Sequence, residues 1–367
     1  MLVVAGLSLK NLQPRVWDPE SPYYLPDLKA VMVSYAEFHR MPRQRQAAMM
    51  LGLRDYLGVP PAVKVYLDNG AFYFLNHGGQ APVEQYEEFV EGAHPDWWPI
   101  PQDYIPSPSM SPEEQRSCFT RTVEVNLAYR RDGFVPVIHV GEMLEEYVAA
   151  VQSCDELATK PSIALGGVVP NLLRAPKAIP YGRVLGALRQ VRSTFAGKQL
   201  HVFGLGGTAT LHLGALIGVD SADSAGWRNR AARGLIQLPG GGDRTVVKLG
   251  SWRGRELSTE ELQLLKGCPC PACTQHGLAG LRARGIDGSS RRAAHNLWVL
   301  LHEATEIERH LAAGSYASWF HHYLDNTIYL SLIQWLVQQR EIEQSALEGQ
   351  ISSSAANDCK DPRAYRQ

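Results

Sequence analysis

Short runs of apolar residues alternate along the chain with longer segments in which apolar positions recur every three to four residues. The short runs have the length of buried strands and end in Gly, Asp or Asn, whereas the longer period is typical of amphipathic helices. This alternation indicates a parallel sheet whose strands are joined by crossover helices. The clearest predicted strands are Leu2–Ala5, Val31–Tyr35, Val63–Leu67, Val135–Val140, Ser162–Leu165 and Leu200–Phe203.

One predicted helix has a well-marked start and stop. In Ser111-Pro112-Glu113-Glu114 the serine can cap, the proline suits the first turn, and the two acids complement the helix dipole. We expect this helix to run to about Arg131 and to stop at Gly133. Further helices are predicted over Arg183–Phe195, Leu211–Gly218, Arg291–Leu311 and Thr327–Arg340, with a short strand over Thr245–Leu249.

The number of strand–helix units favours a closed barrel. Six or more units over roughly 240 residues suit a (β/α)8 TIM barrel, which takes about 250 residues, and an open doubly wound sheet is the alternative. We therefore predict an α/β fold, a TIM barrel with a structural zinc-binding insertion and a C-terminal helical extension. The predicted domains are the barrel over residues 1–244 and 297–345, a zinc-binding subdomain over residues 245–296 and a disordered tail over residues 346–367.

Composition narrows the class of protein. The 367 residues are 45% hydrophobic and 20% charged, as in a globular chain with a sizeable core. A formal net charge of −1 excludes a binder that relies on bulk positive charge, but not a local basic face. No run approaches the roughly 20 apolar residues of a membrane helix, so no membrane partner is expected. Cys118, Cys154 and Cys359 stand alone, which is typical of a reducing compartment, and we predict a cytoplasmic protein.

The remaining cysteines predict a metal site. Cys268, Cys270 and Cys273 form the run Cys-Pro-Cys-Pro-Ala-Cys, which places three sulfurs on one tight turn. Thiolates bind Zn²⁺ tightly, commonly as Cys₃His in structural sites, and such clusters more often bind metal than form disulfides in a reducing compartment. His295, in a predicted helix, is the favoured fourth ligand. The alternatives are His302 and, too close to the cysteines for a comfortable loop, His276.

Polar residues and glycine pairs follow the predicted strands at their carboxyl ends, where TIM-barrel enzymes place their catalytic groups. For a single aspartate a turn or a helix cap is the commoner role. Several strands that end in acidic residues or glycine pairs together predict a barrel enzyme with acid chemistry. The residues concerned are Asp68, Gln102 and Asp103 after Trp97–Pro101, His139, the pair Gly166 and Gly167, Phe203 with the glycines that follow, Asp220 and Asp223.

Motifs in a fixed order between Lys64 and Leu311 carry a family resemblance. The chain resembles the tRNA-guanine transglycosylase family, zinc-containing TIM-barrel pentosyltransferases that exchange a guanine in a polynucleotide for a 7-deazaguanine base. Asp223-Ser224-Ala225 is most similar to the archaeal branch. The motifs are Ala164-Leu-Gly-Gly-Val-Val-Pro170, Phe203-Gly-Leu-Gly206, Gly218-Val219-Asp220-x-x-Asp223 and Cys268-x-Cys270-x-x-Cys273 with His295-Asn296.

The resemblance implies roles for three acids. Asp223 would be the nucleophile that attacks C1′ of the target ribose and forms a covalent glycosyl-enzyme. Asp68 would be the general acid/base near the leaving base. Asp103 would accept hydrogen bonds from the donor edge of the purine.

The same resemblance assigns the walls of a base pocket. Backbone N–H groups around Gly166 and Gly167 would read the purine carbonyl, and Phe72 and Phe203 would stack on the two faces of the base. The family has a glutamine after the fourth strand, where this chain has His139, or Val140 if the alignment is shifted by one residue. His139 can supply the hydrogen bond there, and its alternative role is that of a satisfied histidine at a strand end.

Another departure from the family pattern follows Asp68, where Asn69 stands in a position that the family commonly gives to serine.

A basic segment after Asp223 would contact phosphates of the polynucleotide. Its arginines are Arg228, Arg230 and Arg233, with Arg253 and Arg255 nearby.

Several alternatives stay open. tRNA is the favoured polynucleotide because it is the commoner substrate of the family. DNA is the alternative: we expect no C-terminal RNA-binding domain of the archaeal type after Gln367, and a DNA-modifying branch of the superfamily also lacks that domain. A non-catalytic partner subunit of a transglycosylase is a further alternative for the function. The oligomeric state is open as well, with a homodimer as one alternative. An unrelated hydrolase with a catalytic metal is disfavoured, because Cys₃His leaves no open coordination position.

Overall fold

The strands that the sequence predicts form one curved parallel sheet in the computed structural model, which describes residues 1–172, 177–250, 254–324 and 329–342. Within those residues the sheet has seven strands, which pair in the order β3-β2-β1-β7-β6-β5-β4. Each of the six clearest predicted strands is present, with ends shifted by at most a few residues. The strands are β1 (Leu2–Gly6), β2 (Ala30–Ser34), β3 (Lys64–Asp68), β4 (Val137–His139), β5 (Ser162–Gly166), β6 (Gln199–Val202) and β7 (Ser221–Ser224).

A short segment between β3 and β4 closes the sheet into a barrel. Trp97 bridges to Tyr66 of β3, and Pro99 bridges to Val135 just before β4, both in parallel. The Leu67 amide donates to the Trp97 carbonyl at 2.9 Å, and the Val135 amide donates to the Trp98 carbonyl at 3.0 Å. Prolines lack the N–H that a continuous ladder requires, so this eighth strand position is held by isolated bridges. The predicted (β/α)8 barrel is confirmed.

Helices connect the strands and cover the outside of the sheet. The predicted helix start at Ser111 is present as a capping box, in which Ser111 Oγ accepts from the Glu114 amide and the Glu114 carboxylate accepts from the Ser111 amide. The helices are α1 (Tyr35–Arg40), α2 (Pro42–Leu51), α3 (Leu53–Leu57), α4 (Ala71–Asn76), α5 (Val83–Ala93), α6 (Pro112–Ala128), α7 (Leu144–Gln152), α8 (Asp155–Ala158), α9 (Val168–Leu172), α10 (Tyr181–Thr194), α11 (Thr208–Ile217), α12 (Gly226–Ala232), α13 (Thr259–Lys266), α14 (Pro271–Arg282), α15 (Gly285–Ala312) and α16 (Tyr316–Tyr323), followed by a helical segment over residues 330–342.

A small second sheet follows the barrel strands, and it corrects one predicted element. Its strands are β8 (Leu235–Gln237), β9 (Asp243–Thr245) and β10 (Arg255–Glu256). The strand predicted over Thr245–Leu249 does not form, because β9 already ends at Thr245. The amides of Val246 and Val247 both donate to the Gly234 carbonyl, so the chain turns around Gly234 instead of extending the ladder.

The long helix α15 joins the C-terminal part of the chain to the barrel. It packs against α11, α12, α14 and β8, and it runs through the predicted boundary at residues 296 and 297. Its buried Arg292 donates to the carbonyls of Ala231, Leu281 and Ala283. This one side chain therefore ties α12 and α14 to α15.

Three sequence predictions fall partly or wholly outside the described residues, and one of them is the phosphate contact of Arg253. The predicted disordered tail over residues 346–367 lies outside them, and the C-terminal predicted helix is described only from residue 330 onward. Among the helices that the structure describes, none combines the length and the apolar character that crossing a membrane requires.

Candidate functional site

A cavity of about 260 Å³ opens at the carboxyl ends of the barrel strands. Seven of the eight residues that the sequence predicts as catalytic or base-binding line it, and Asp103 is the exception. The lining residues are Gly6, Leu7, Met32, Ser34, Asp68, Asn69, Ala71, Phe72, Gln102, Ile105, Val137, His139, Gly166, Gly167, Val169, Phe203, Gly204, Asp223 and Ala225.

Asp68 is the last residue of β3 and lies deep in the cavity wall. Its Oδ2 atom accepts hydrogen bonds from Ser34 Oγ at 2.7 Å and from the Gly70 amide at 3.0 Å. Burial raises the pKa of the Asp68 carboxyl to about 6, against the opposing effect of the Ser34 hydrogen bond; the nearby Asp223 carboxylate raises it further. A carboxyl group with this pKa can both give and take a proton near neutral pH, which general acid–base chemistry requires.

Asp223 reaches the same cavity from β7. In the sheet, β1 and β2 lie between β7 and β3, the strand that carries Asp68. The Oδ1 atom of Asp223 accepts from the Gly204 amide at 2.8 Å, and the ring of buried His201 places Nε2 3.5 Å from the same oxygen. The other ring nitrogen of His201 contacts Ser221 Oγ at 2.9 Å. The Gly204 hydrogen bond orients the Asp223 carboxylate at the edge of the cavity, and His201 Nε2 lies near the same oxygen without a hydrogen-bond partner among the described residues.

Aromatic rings and bare backbone form the remaining walls. Phe72 is 52% exposed at the mouth, and Phe203 lies against the inner wall beside Trp97 and His201. A Cβ atom on Gly166 would lie 2.6 Å from His139 Nδ1, so only glycine leaves room there. The arrangement accommodates a flat ligand that touches backbone and aromatic faces.

His139 is a buried neutral side chain at the end of β4. Burial lowers the pKa of His139 to about 3, so the ring carries no charge at physiological pH. Its Nε2 atom lies 3.0 Å from Nε2 of Gln102, a residue that the sequence analysis placed at a strand end but gave no role.

Asp103 points away from the cavity. Its carboxylate forms an ion pair with Arg121 of α6, and the guanidinium of Arg121 also lies over the ring of Tyr104 at 4.1 Å. The neighbouring Gln102 lines the cavity in its place. Strand alternation explains this exchange, since successive residues of an extended segment point to opposite sides.

The arginines predicted to contact phosphate differ in their surroundings. Arg228 is half-buried and donates to the Asn11 carbonyl, and Arg230 pairs with Asp243 at 2.7 Å. Arg233 is exposed just after α12. Arg230 also lines a groove of about 490 Å³ that shares Val169, Gly204 and Ala225 with the cavity.

The four predicted metal ligands lie together. The ligand atoms of Cys268, Cys270, Cys273 and His295 are all within 4.8 Å of one another, and His295 Nδ1 lies 3.4 to 3.7 Å from the three sulfurs. A tetrahedral site with ordinary Zn–S and Zn–N bonds separates S from N by about 3.5 Å. His295 Nε2 lies 2.9 Å from the Gln237 carbonyl and must donate to it, which leaves the Nδ1 lone pair for a metal. These residues can hold a metal ion.

Two residues beside the carboxylates are not among the sequence-predicted site residues: Ser34, which donates to Asp68, and His201, whose ring lies next to Asp223. Both were inside predicted strands, at polar positions within apolar runs. Ser34 was placed in Val31–Tyr35, and His201 was placed in Leu200–Phe203. A polar residue at the carboxyl end of a barrel strand is a signal that could have found them.

Comparison with known proteins identifies the family of this chain. A TIM barrel that brings two carboxylates to one cavity at the carboxyl ends of its strands has the arrangement of a barrel enzyme. The chain belongs to the queuine tRNA-ribosyltransferase (TGT) family, whose model matches residues 68–327.

Curated relatives agree with this assignment. The chain is 25% identical over 305 residues to a tRNA-guanine(15) transglycosylase of Korarchaeum cryptofilum, which covers 80% of this chain and 48% of the relative. It is 27% identical over 285 residues to the protein of that name from Haloarcula marismortui, and the match covers 74% of this chain and 52% of the relative. A queuine tRNA-ribosyltransferase of Protochlamydia amoebophila is 31% identical over 108 residues, and that match covers 28% of this chain and 26% of the relative. The chain spans about half the length of the archaeal relatives it matches.

Proposed function

We propose that the protein exchanges a guanine in a nucleic acid for a 7-deazaguanine base through a covalent aspartyl-glycosyl intermediate. The observation that carries the proposal is the convergence of Asp68 and Asp223 on one cavity with different surroundings. Asp68 is half-buried with a pKa that burial raises, whereas Asp223 accepts from the Gly204 amide. Two carboxyl groups whose surroundings differ in this way suit one proton-transfer role and one nucleophilic role.

In the first half-reaction the Asp223 carboxylate attacks C1′ of the target nucleotide. The bond between C1′ and the base breaks, and the bonding electrons leave with the guanine. Asp68 donates its proton to the departing base, so neutral guanine and an Asp68 carboxylate remain beside the aspartyl ester. The Gly204 amide orients the attacking oxygen before the reaction begins.

In the second half-reaction an incoming 7-deazaguanine gives its ring N–H proton to the Asp68 carboxylate. Its nitrogen attacks C1′, the ester bond to Asp223 breaks, and both acids return to their starting state. Phe72 and Phe203 would hold the base by its faces, with Gly166, Gly167 and His139 along its edge. For Asp103 to read the base, its ion pair with Arg121 would first have to open.

tRNA is the favoured polynucleotide, and the names of the curated relatives support this choice. The groove that continues from the cavity offers Arg230 and backbone amides to a flanking phosphate. DNA is the alternative, because phosphate contacts do not distinguish the two. We propose zinc as the metal, since the spacing of the Cys₃His atoms suits tetrahedral Zn²⁺.

The test is incorporation of radiolabelled guanine. The protein is incubated with labelled guanine and either unmodified tRNA or duplex DNA, beside an Asp223→Ala variant. We expect label in tRNA, no label with Asp223→Ala, and a denaturation-resistant protein–tRNA adduct only with the intact nucleophile. Label in DNA alone would assign the protein to the DNA alternative. Label in neither substrate would contradict the enzymatic proposal and favour a partner subunit.

A further inference from the structure

The turn between α14 and α15 exposes basic side chains without matching acids. From residue 280 to residue 292 the chain has one acid, Asp287, and four arginines, Arg282, Arg284, Arg291 and Arg292. Arg282 and Arg284 are exposed, Arg291 is half-buried and Arg292 is buried. Within the ranges that the structure describes, none of the four arginines forms an ion pair.

Arginines on the neighbouring elements are neutralised by acids. Arg244 of β9 and Arg255 of β10 share the Glu261 carboxylate of α13, at 2.6 and 2.5 Å. Arg230 of α12 pairs with Asp243 at 2.7 Å. The α14–α15 turn, residues 282–284, therefore keeps a net positive charge, whereas the arginines around it are compensated.

The buried side chain of Arg292 holds this turn against the end of α12. Its guanidinium donates to the carbonyls of Leu281, Ala283 and Ala231, each at 2.8 Å. The turn is anchored from inside by this one side chain. The exposed arginines are therefore not needed to hold it in place.

The backbone of the turn places the two exposed arginines side by side. Ala283, with φ −58° and ψ 146°, and Arg284, with φ −89° and ψ 173°, are extended. Side chains two residues apart in an extended segment point to the same side, so Arg282 and Arg284 face solvent together. The amino-terminal end of α15, which carries the positive end of the helix dipole, lies at the same turn. The turn presents a compact positive surface.

Helix α12 connects this surface with the candidate site. Ala225, just before the helix, lines both the cavity and the groove beside it. Ala231 lies six residues further along, a rise of about 9 Å. Exposed Arg233 follows at the end of α12. A polynucleotide with one nucleotide in the cavity can therefore pass through the groove and reach the turn.

We propose that Arg282 and Arg284 bind the phosphate backbone of the nucleic acid at a contact outside the cavity and the groove. Guanidinium groups suit phosphate because their N–H donors form paired, charge-assisted hydrogen bonds with its oxygens. Such contacts position the strand and raise affinity without reading its sequence. The choice of a nucleic acid as the partner rests on the proposed function, whereas the charge of the turn does not.

The contact is tested by the salt dependence of binding. Filter binding of tRNA and of duplex DNA is measured between about 50 and 200 mM salt. Arg282→Ala/Arg284→Ala should bind about tenfold more weakly at the lowest salt, and the slope of log affinity against log salt concentration should be smaller by about 1 to 2. Arg282→Lys/Arg284→Lys should keep most of the slope, because the charge remains.

The matched control is Arg130→Ala/Arg131→Ala, which removes two arginines just after α6 and should bind like the wild type. Equal slopes in the wild type and in Arg282→Ala/Arg284→Ala would refute the contact. The absence of salt-dependent binding to either nucleic acid would refute it as well. A loss with only one of the two nucleic acids supports the contact and identifies the partner as RNA or DNA.

Incorporation of labelled guanine separates this inference from the proposed function. If the wild type incorporates label, Arg282→Ala/Arg284→Ala should raise KM for the nucleic acid and leave KM for guanine unchanged. Incorporation with an unchanged salt slope would overturn the contact and leave base exchange in place. Binding with the smaller slope but no incorporation by the wild type would support the contact and contradict base exchange.

Discussion

At the scale of single residues, Asp68 combines a chemical role with a cost to stability. Its pKa in the folded protein is about 6, against an ordinary value of 3.8, because burial disfavours the carboxylate. Between these two values the folded state binds more protons than the unfolded state, so stability is lost as the pH rises through this window. Above this pH window the Asp68 carboxyl is ionised in the folded protein too, and the full destabilising effect of its burial remains.

We therefore expect Asp68→Asn to stabilise the protein by about 3 kcal/mol above pH 7, a gain that shrinks toward zero near pH 4. The amide removes the buried charge and keeps an oxygen that can accept from Ser34. Denaturant unfolding of both proteins across pH 4 to 8 measures the difference. Asp55→Asn, on an exposed face of α3, is the control and should show almost no pH-dependent change. A pH-independent effect of Asp68→Asn would mean that the carboxyl is not the buried acid described here.

At the scale of elements, the cluster that could hold a metal ion links β8 to the long helix α15. His295 donates to the Gln237 carbonyl, and the adjacent Asn296 accepts from the Gln237 amide at 2.8 Å. Asn296 also donates to the carbonyls of Trp227 and Leu235. A bound metal would fix the ring of His295 and, through it, this set of contacts.

We expect removal of the metal with a strong chelator to loosen residues 245–311 before the barrel strands unfold. Without the metal, no bonds would join the three sulfurs to His295, so α14 would no longer be fastened to α15 at this point. Limited proteolysis followed by mass spectrometry would locate the first cleavages, and Cys273→Ser should show the same pattern without chelator. Cys118→Ala, at the buried lone cysteine of α6, is the control and should remain resistant. Unchanged resistance of residues 245–311 after chelation would contradict a structural metal.

At the scale of the whole molecule, a buried polar network fastens the C-terminal helices to the barrel. Glu303 of α15 contacts His212 of α11 at 2.8 Å and accepts from the Tyr323 hydroxyl at 2.8 Å and the Gly240 amide at 3.0 Å. His212 also contacts the Tyr316 hydroxyl at 2.6 Å. Gly240 lines the groove beside the cavity, so the same network shapes the candidate binding surface.

We expect Glu303→Ala to lower the free energy of unfolding by at least about 3 kcal/mol, because several buried donors lose their acceptor at once. Glu303→Gln should cost less, since it keeps one oxygen. Glu306→Ala, which removes only a surface ion pair with Arg309, should cost less than about 1 kcal/mol. Urea unfolding of the three variants provides the measurement, and a loss from Glu303→Ala no larger than that from Glu306→Ala would refute the role of the network.

The sequence by itself determined the parts of this protein that depend on local spacing. Apolar runs and helix-capping residues gave the strands and the start of α6, because periodicity and capping act over a few residues. The run Cys268 to Cys273 indicated a group that could hold a metal ion, since three thiols on one turn have few other uses. Asp68 and Asp223 were found because the carboxyl ends of parallel strands share one edge of a barrel.

The tertiary structure alone decided which side chains meet. The pairing of Asp103 with Arg121, the approach of His201 to Asp223 and the contact of Gln102 with His139 join residues that lie 18 to 37 positions apart. No local rule sets these contacts, because they depend on the register of neighbouring strands and on which face of an irregular segment turns inward. For the same reason strand β9 ended earlier than its apolar pattern suggested, since the Gly234 carbonyl captured the next two amides.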